Sequence, residues 1–117
     1  MLLRFELGTP NSSQYAIALA ALTALDEQLL AAGAIPPLYR SGTRYRRERP
    51  DVWTTADICY RRGYGDCEDL AAWRCAELRR QGIRATVIAR EMRPRKFHAV
   101  VRWADGRIED PSKRLGM

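Results

Sequence analysis

Between residues 14 and 32 the chain is rich in Ala and Leu, with Tyr15 and Ile17 among them and charged side chains only at Asp26 and Glu27. That run predicts a long helix, started by cap-forming residues between Thr9 and Ser13 and stopped by Gly33. Residues 2–7 before it alternate enough for a short strand or N-terminal arm. Ile35-Pro36-Pro37-Leu38 is extended, because each proline pushes the residue before it away from helix. Residues 40–49 are polar and Arg-rich, with Tyr39 and Tyr45 interleaved, and predict an exposed strand or loop beside a cleft, closed by Pro50-Asp51. Residues 53–58 predict a short helix capped by Thr54 or Thr55.

Gly63-Tyr64-Gly65 breaks the chain, and a second long helix follows over residues 66–80, ended by Gly82. Its apolar positions, from Cys67 and Leu70 through Trp73 to Leu78, cover most of its circumference, so it is buried on several sides. Strands are expected at 84–90, 96–103 and 107–110, with a loop through Pro94, a turn at Ala104-Asp105-Gly106, and Pro111 as the stop. Helices first, a central buried helix and then an antiparallel sheet make an α+β chain. Its 117 residues fit one domain, 1–117.

The last hairpin has a register that matters. A two-residue Asp105-Gly106 turn would pair Val101 with Asp110 and put Asp110 on the face opposite His98, since a one-residue slip inverts every side chain. A three-residue loop, Ala104-Asp105-Gly106, pairs Trp103 with Arg107 and Val100 with Asp110, so Asp110 shares the His98 face. Gly106 is placed for the left-handed residue such a loop needs, and the three-residue form is the expectation.

Composition changes little. A hydrophobic fraction of 46% and a charged fraction of 29% suit an ordinary globular domain. No stretch reaches the roughly 18 apolar residues of a spanning helix. Residues 16–25 could imitate a leader core, but Glu6 before them and Asp26-Glu27 after them do not suit one, so a mature cytoplasmic segment is expected. The net charge of +6 comes mostly from 18 Arg spread along the chain, which reads as a solvated basic surface rather than a nucleic-acid footprint. Three cysteines with no C-x-x-C pair, and one histidine, point away from a disulfide framework or a zinc site.

A nucleophile remains. Cys67 stands at the start of the buried helix, where unpaired amides and the helix dipole favour a thiolate. Gly63 and Gly65 before it let a substrate backbone approach. Cys59 and Cys75 read as buried structural thiols. His98 lies on a strand with Val100 and Arg102 on its face, and Asp110 follows one hairpin later. Nucleophile, base and orienter thus come from three separate elements. Asp66, Glu68 and Asp69 crowd the thiol and oppose its ionisation; they equally suit a solvated helix start, and Arg side chains or a cation could neutralise them.

Gly65-Asp66-Cys67-Glu68-Asp69-Leu70-Ala71 resembles the nucleophile motif of bacterial transglutaminase-like cysteine proteinases. His98-Ala99-Val100-Val101 resembles their histidine strand, and Asp105-Gly106 with Asp110-Pro111-Ser112 their aspartate element. Trp53 also has a counterpart. The resemblance spans residues 53–112. It implies a papain-like, transglutaminase-core fold with the triad Cys67, His98 and Asp110, and a cysteine-dependent amide hydrolase or acyl transferase acting on protein or peptide substrates. The triad needs no cofactor. Where papain relatives use a Gln before the Cys as oxyanion donor, this chain has none between residues 40 and 66, and the Cys67 N–H and the Trp53 indole are the substitutes. Trp53 serves core packing equally well. In some adhesin-cleaving relatives the matching acids bind calcium, which implies a calcium site at Asp66, Glu68 and Asp69. Pro36-Pro37-Leu38-Tyr39 and residues 109–117 resemble small phage and prophage proteins. This gives the alternative of a non-catalytic virion or assembly protein on the same fold, with virion proteins as partners.

Overall fold

The computed structural model describes residues 2–3, 12–48, 52–93 and 96–117. In chain order the elements are β1 (Leu2–Leu3), α1 (Ser12–Ala31), a 3-10 turn (Leu38–Arg40), β2 (Arg44–Tyr45), β3 (Trp53–Thr54) and α2 (Ala56–Arg62). Then come β4 (Tyr64–Gly65), α3 (Cys67–Arg80), β5 (Ala85–Arg93), β6 (Lys96–Trp103), β7 (Ile108–Glu109) and α4 (Pro111–Arg114). The fold is α+β. Strands β5, β6 and β7 form an antiparallel sheet in that order, while β1 pairs with β3 and β2 with β4 as two-stranded ribbons.

Helix α3 is where its sequence puts it. Asp66 caps its start in a capping box with Asp69, satisfying amides that a helix start leaves orphaned. Its all-round apolar pattern is used on two sides. Ala71, Cys75 and Leu78 meet Leu19 and Leu22 of α1 and Val87, Ala99 and Val101 of the sheet. Leu70 and Trp73 meet Leu38, Ala56, Cys59 and Leu115 in a second cluster. Helix α1 uses one face in this way and turns the other outward, leaving Ile17 71% exposed.

The segment 53–58 departs from its expected helix. Trp53 and Thr54 are a strand, in register with Leu3 and Leu2, and the helix begins only at Ala56 and runs to Arg62. The pairing with β1 is a long-range constraint that local propensity does not contain. Thr55 is the N-cap residue, but its hydroxyl bonds Asp57 Oδ1 at 2.6 Å rather than a backbone amide. Most of the expected 2–7 strand, most of the turn before α1, the Pro50-Asp51 boundary and the loop at Pro94 lie outside the described residues.

The final hairpin takes the three-residue loop. Val101 pairs with Glu109 and Arg102 with Ile108. The Trp103 N–H donates to the Arg107 carbonyl at 2.9 Å, the Gly106 N–H to the Trp103 carbonyl at 2.9 Å, and Gly106 has φ +92°. On β6, Phe97, Ala99, Val101 and Trp103 face α3, and His98 points to the other face. Among the described residues no helix is long and apolar enough to cross a membrane.

Candidate active site

Cys67 opens α3, and its side chain is 6% exposed. Asp110 follows β7 directly. It caps α4 through Oδ1, which accepts the Lys113 N–H at 3.3 Å. Its other oxygen, Oδ2, lies 2.8 Å from His98 Nε2. The hairpin register therefore brings the imidazole and carboxylate together, with Nε2 as the ring nitrogen at the carboxylate. Among the described residues no hydrogen bond joins Cys67 to His98 directly. Carboxylate oxygens of Asp66 and Glu68 lie within 4.8 Å of the sulfur.

The Ala99 amide is available for a topological reason. In an antiparallel strand alternate residues turn their N–H groups to the same side. Trp103 donates toward β7, so Val101 and Ala99 face that way too. Strand β7 ends at Glu109, and the position opposite Ala99 falls to Pro111, already in α4. The Ala99 N–H, one residue from His98, thus has no strand residue opposite it on the β7 side, while on the other side Ala99 pairs with Ala89 of β5.

The electrostatics hold the thiol protonated at rest. Burial pushes it up most, the Glu68 and Asp66 carboxylates add to that, and the Ala99 N–H works against it. Glu68 is itself pushed up to about 7, first by burial and then by Asp66. Its carboxylate accepts the Tyr15 hydroxyl proton. Tyr15, from α1, stacks on Phe97 at 4.8 Å between ring centres and meets Trp53 edge-on at 5.1 Å.

The structure separates the three acids that the sequence groups around Cys67. Asp66 is engaged at both oxygens, by the Cys67 N–H at 2.8 Å and the Glu48 N–H at 3.1 Å. Asp69 is fully buried and accepts the Thr54 N–H at 2.7 Å and the Asp66 N–H at 3.0 Å, with Arg62 at 3.4 Å. Arg62 also pairs with Glu48, so an arginine does the neutralising here. The trio whose ligand atoms converge within 4.8 Å is Asp66, Cys67 and Glu68, not Asp66, Glu68 and Asp69. A thiol is a poor partner for calcium, which takes oxygen.

Other assignments move as well. The Cys67 N–H, read as an oxyanion donor, is committed to Asp66. Trp53, the second candidate donor, is 4% exposed and belongs to the core cluster beneath the site. Gly63 has φ +84° as the left-handed C-cap of α2, a conformation that explains the glycine without a substrate. Gly65 is small for packing: a Cβ there would meet Cys59 Sγ and Leu70 Cδ2 at 3.1 Å and Asp69 Cβ at 3.2 Å. Cys59 and Cys75 are fully buried, and burial pushes both thiols up, Cys75 to about 11.

Three participants escape the sequence reading: Tyr15, Glu68 in its hydrogen-bonded role, and the Ala99 amide. Tyr15 had a signal, since it shares a helix face with Ala18, Leu19 and Leu22, all of them buried. The Ala99 amide had none, because backbone availability depends on where β7 stops. Comparison with protein family models, with curated proteins and with solved structures finds no match to this chain.

Proposed function

We propose that the chain is a cysteine-dependent amide hydrolase or acyl transferase of the papain-like, transglutaminase-core type, with Cys67, His98 and Asp110 as its triad. The observation that carries this reading is the 2.8 Å contact of His98 Nε2 with Asp110 Oδ2. It holds the imidazole through Nε2, on the strand whose next residue, Ala99, lies in the same core cluster as Cys67. A thiol held protonated at rest hands its proton to His98 as it attacks. The S–C bond forms on the carbonyl carbon of an amide, and the carbonyl electrons move to oxygen. Collapse expels the amine, which takes the proton from His98 and leaves a thioester. Water, deprotonated by His98, then releases the acid and restores the thiol; an amine in its place gives transfer.

The test is labelling by a peptidyl vinyl sulfone at neutral pH, followed by mass spectrometry. The wild type should be modified at Cys67, and His98→Ala should slow the reaction about 100-fold or more, the scale of general acid–base assistance. Equal rates in both proteins would sink the proposal. A second reading, a non-catalytic virion or assembly protein on the same fold, is favoured by one observation: the Cys67 amide is committed to Asp66. It predicts those equal rates.

A further inference from the structure

The carboxylate next to Asp110 is tied to every element that carries a triad residue. Glu109 Oε2 accepts from Arg74 Nε at 2.6 Å and from the Tyr39 hydroxyl, and Oε1 accepts from the Trp103 indole N–H at 3.1 Å. Arg74 stands seven residues after Cys67 on α3, nearly two full turns, and so on the same side of that helix. Trp103 is on β6, the strand of His98. Glu109 itself ends β7, immediately before Asp110. Opposite it, Arg74 is held from behind by Glu77 at 3.1 Å, and its guanidinium lies over the Tyr39 ring at 5.0 Å. The Glu109 side chain is only 14% exposed. Burial raises its proton affinity, but the bonds from Tyr39 and Arg74 outweigh this and hold the carboxyl below its usual range.

We infer that Glu109 is the positioning residue of the triad: it locks the end of β7 to the helix of Cys67 and the strand of His98, and so holds Asp110 against the imidazole. Strand β7 has only two residues and one neighbour, so its own ladder is a weak anchor. Glu109 touches neither Cys67 nor His98 and acts through Asp110. The inference rests on the proposed triad, but its readout does not require turnover.

The chain has one histidine, so its ring signals in a proton–nitrogen correlation spectrum need no assignment. The Nε2-bound proton, shielded from exchange by Asp110, is the marker. In Glu109→Ala it should be lost to solvent exchange while the far-ultraviolet circular dichroism stays that of the wild type. Glu109→Gln, which keeps an acceptor for Trp103, should restore part of it. Vinyl sulfone labelling of Cys67 should slow about tenfold in Glu109→Ala. Should that variant not fold, Trp103→Phe keeps an aromatic side chain but loses the indole N–H together with part of the ring system, and its Nε2 proton should exchange faster than in the wild type. A persistent Nε2 proton in folded Glu109→Ala, or in Trp103→Phe if the former does not fold, overturns the inference. An Nε2 proton that depends on Glu109 in a protein whose Cys67 does not need His98 would uphold the positioning role and remove the enzyme.

Discussion

Asp110 divides its two oxygens between tasks: Oδ2 faces His98 Nε2 at 2.8 Å and Oδ1 caps α4 through the Lys113 N–H at 3.3 Å. Asn offers one acceptor oxygen, so Asp110→Asn must give up one of them. The cap is the longer bond and is exposed, so the histidine should be kept. Asp110→Asn should then lose about 1 kcal/mol or less of stability by denaturant titration and retain most Cys67 labelling. Asp110→Ala removes both bonds and should lose the labelling as well. Equal labelling in wild type and Asp110→Ala would take Asp110 out of the triad.

Gly65→Ala tests whether that glycine serves packing. The new methyl would sit 3.1 Å from Cys59 Sγ and Leu70 Cδ2, tighter than ordinary van der Waals contact. Overpacking of this kind costs about 1–3 kcal/mol. Cys59→Ala removes one of the two closest atoms, so the double variant should be more stable than the two single losses added together. Strict additivity in urea denaturation would point to a different cause, such as a backbone requirement of the β2–β4 ribbon.

Calcium should leave the melting temperature where it is. A ligand that binds only the native state raises it, but here the oxygens of Asp66 and Asp69 already accept N–H groups, and Glu68 accepts Tyr15. A cation would have to displace these donors. A rise of several degrees at millimolar calcium, abolished by Asp66→Asn, would show that it does.

How far the sequence reached can be argued from individual residues. The helix of Cys67 was legible because Gly63-Tyr64-Gly65 breaks the chain before it and its length is apolar all round. The hairpin register was legible because Gly106 selects a loop length, and loop length decides the face of Asp110. Trp53 and Thr54 were misread as helix because their strand exists only through residues some fifty positions earlier, in β1. The clamp on Glu109 was invisible for the same kind of reason: Tyr39, Arg74 and Trp103 converge on it from three elements, and no spacing rule joins them. Acidic residues crowding a thiol were plain in the sequence; that each has its own hydrogen-bond donors was not.

Asp26 sets one slope of stability against pH. It is fully buried, with Oδ1 accepting the Ala56 N–H at 2.8 Å and Oδ2 without a partner among the described residues. Burial, and next the bond to Ala56 working against it, leave the carboxyl raised from 3.8 to about 8. The folded protein holds this proton more tightly than the unfolded chain, so stability is full below about pH 4 and declines as pH rises toward 8. Asp26→Asn keeps an acceptor for Ala56 and cannot ionise, so its stability should fall less over that range. The slope across pH 4–8, measured by urea titration, is the readout. An unchanged slope would assign the decline elsewhere.

Glu68 contributes a second slope, and it reports on the thiol too. Its carboxyl is raised from 4.5 to about 7 by burial and by Asp66. Stability from this group is therefore present below pH 4.5 and lost as pH rises through about 7, by about 1–3 kcal/mol. Above that pH the protein carries a buried negative charge beside Cys67, which opposes formation of the thiolate. Glu68→Gln keeps an oxygen for the Tyr15 hydroxyl and removes the charge. It should remove the stability loss between pH 4.5 and 7. It should also move the rise of Cys67 alkylation by iodoacetamide to lower pH, with the gain over wild type largest above pH 7. Tyr15→Phe leaves the carboxyl in place without the hydroxyl donor that favours its ionised form, so the stability loss assigned to Glu68 should move to higher pH. If Glu68→Gln and the wild type alkylate with one pH profile, the Glu68 charge does not govern the Cys67 thiol.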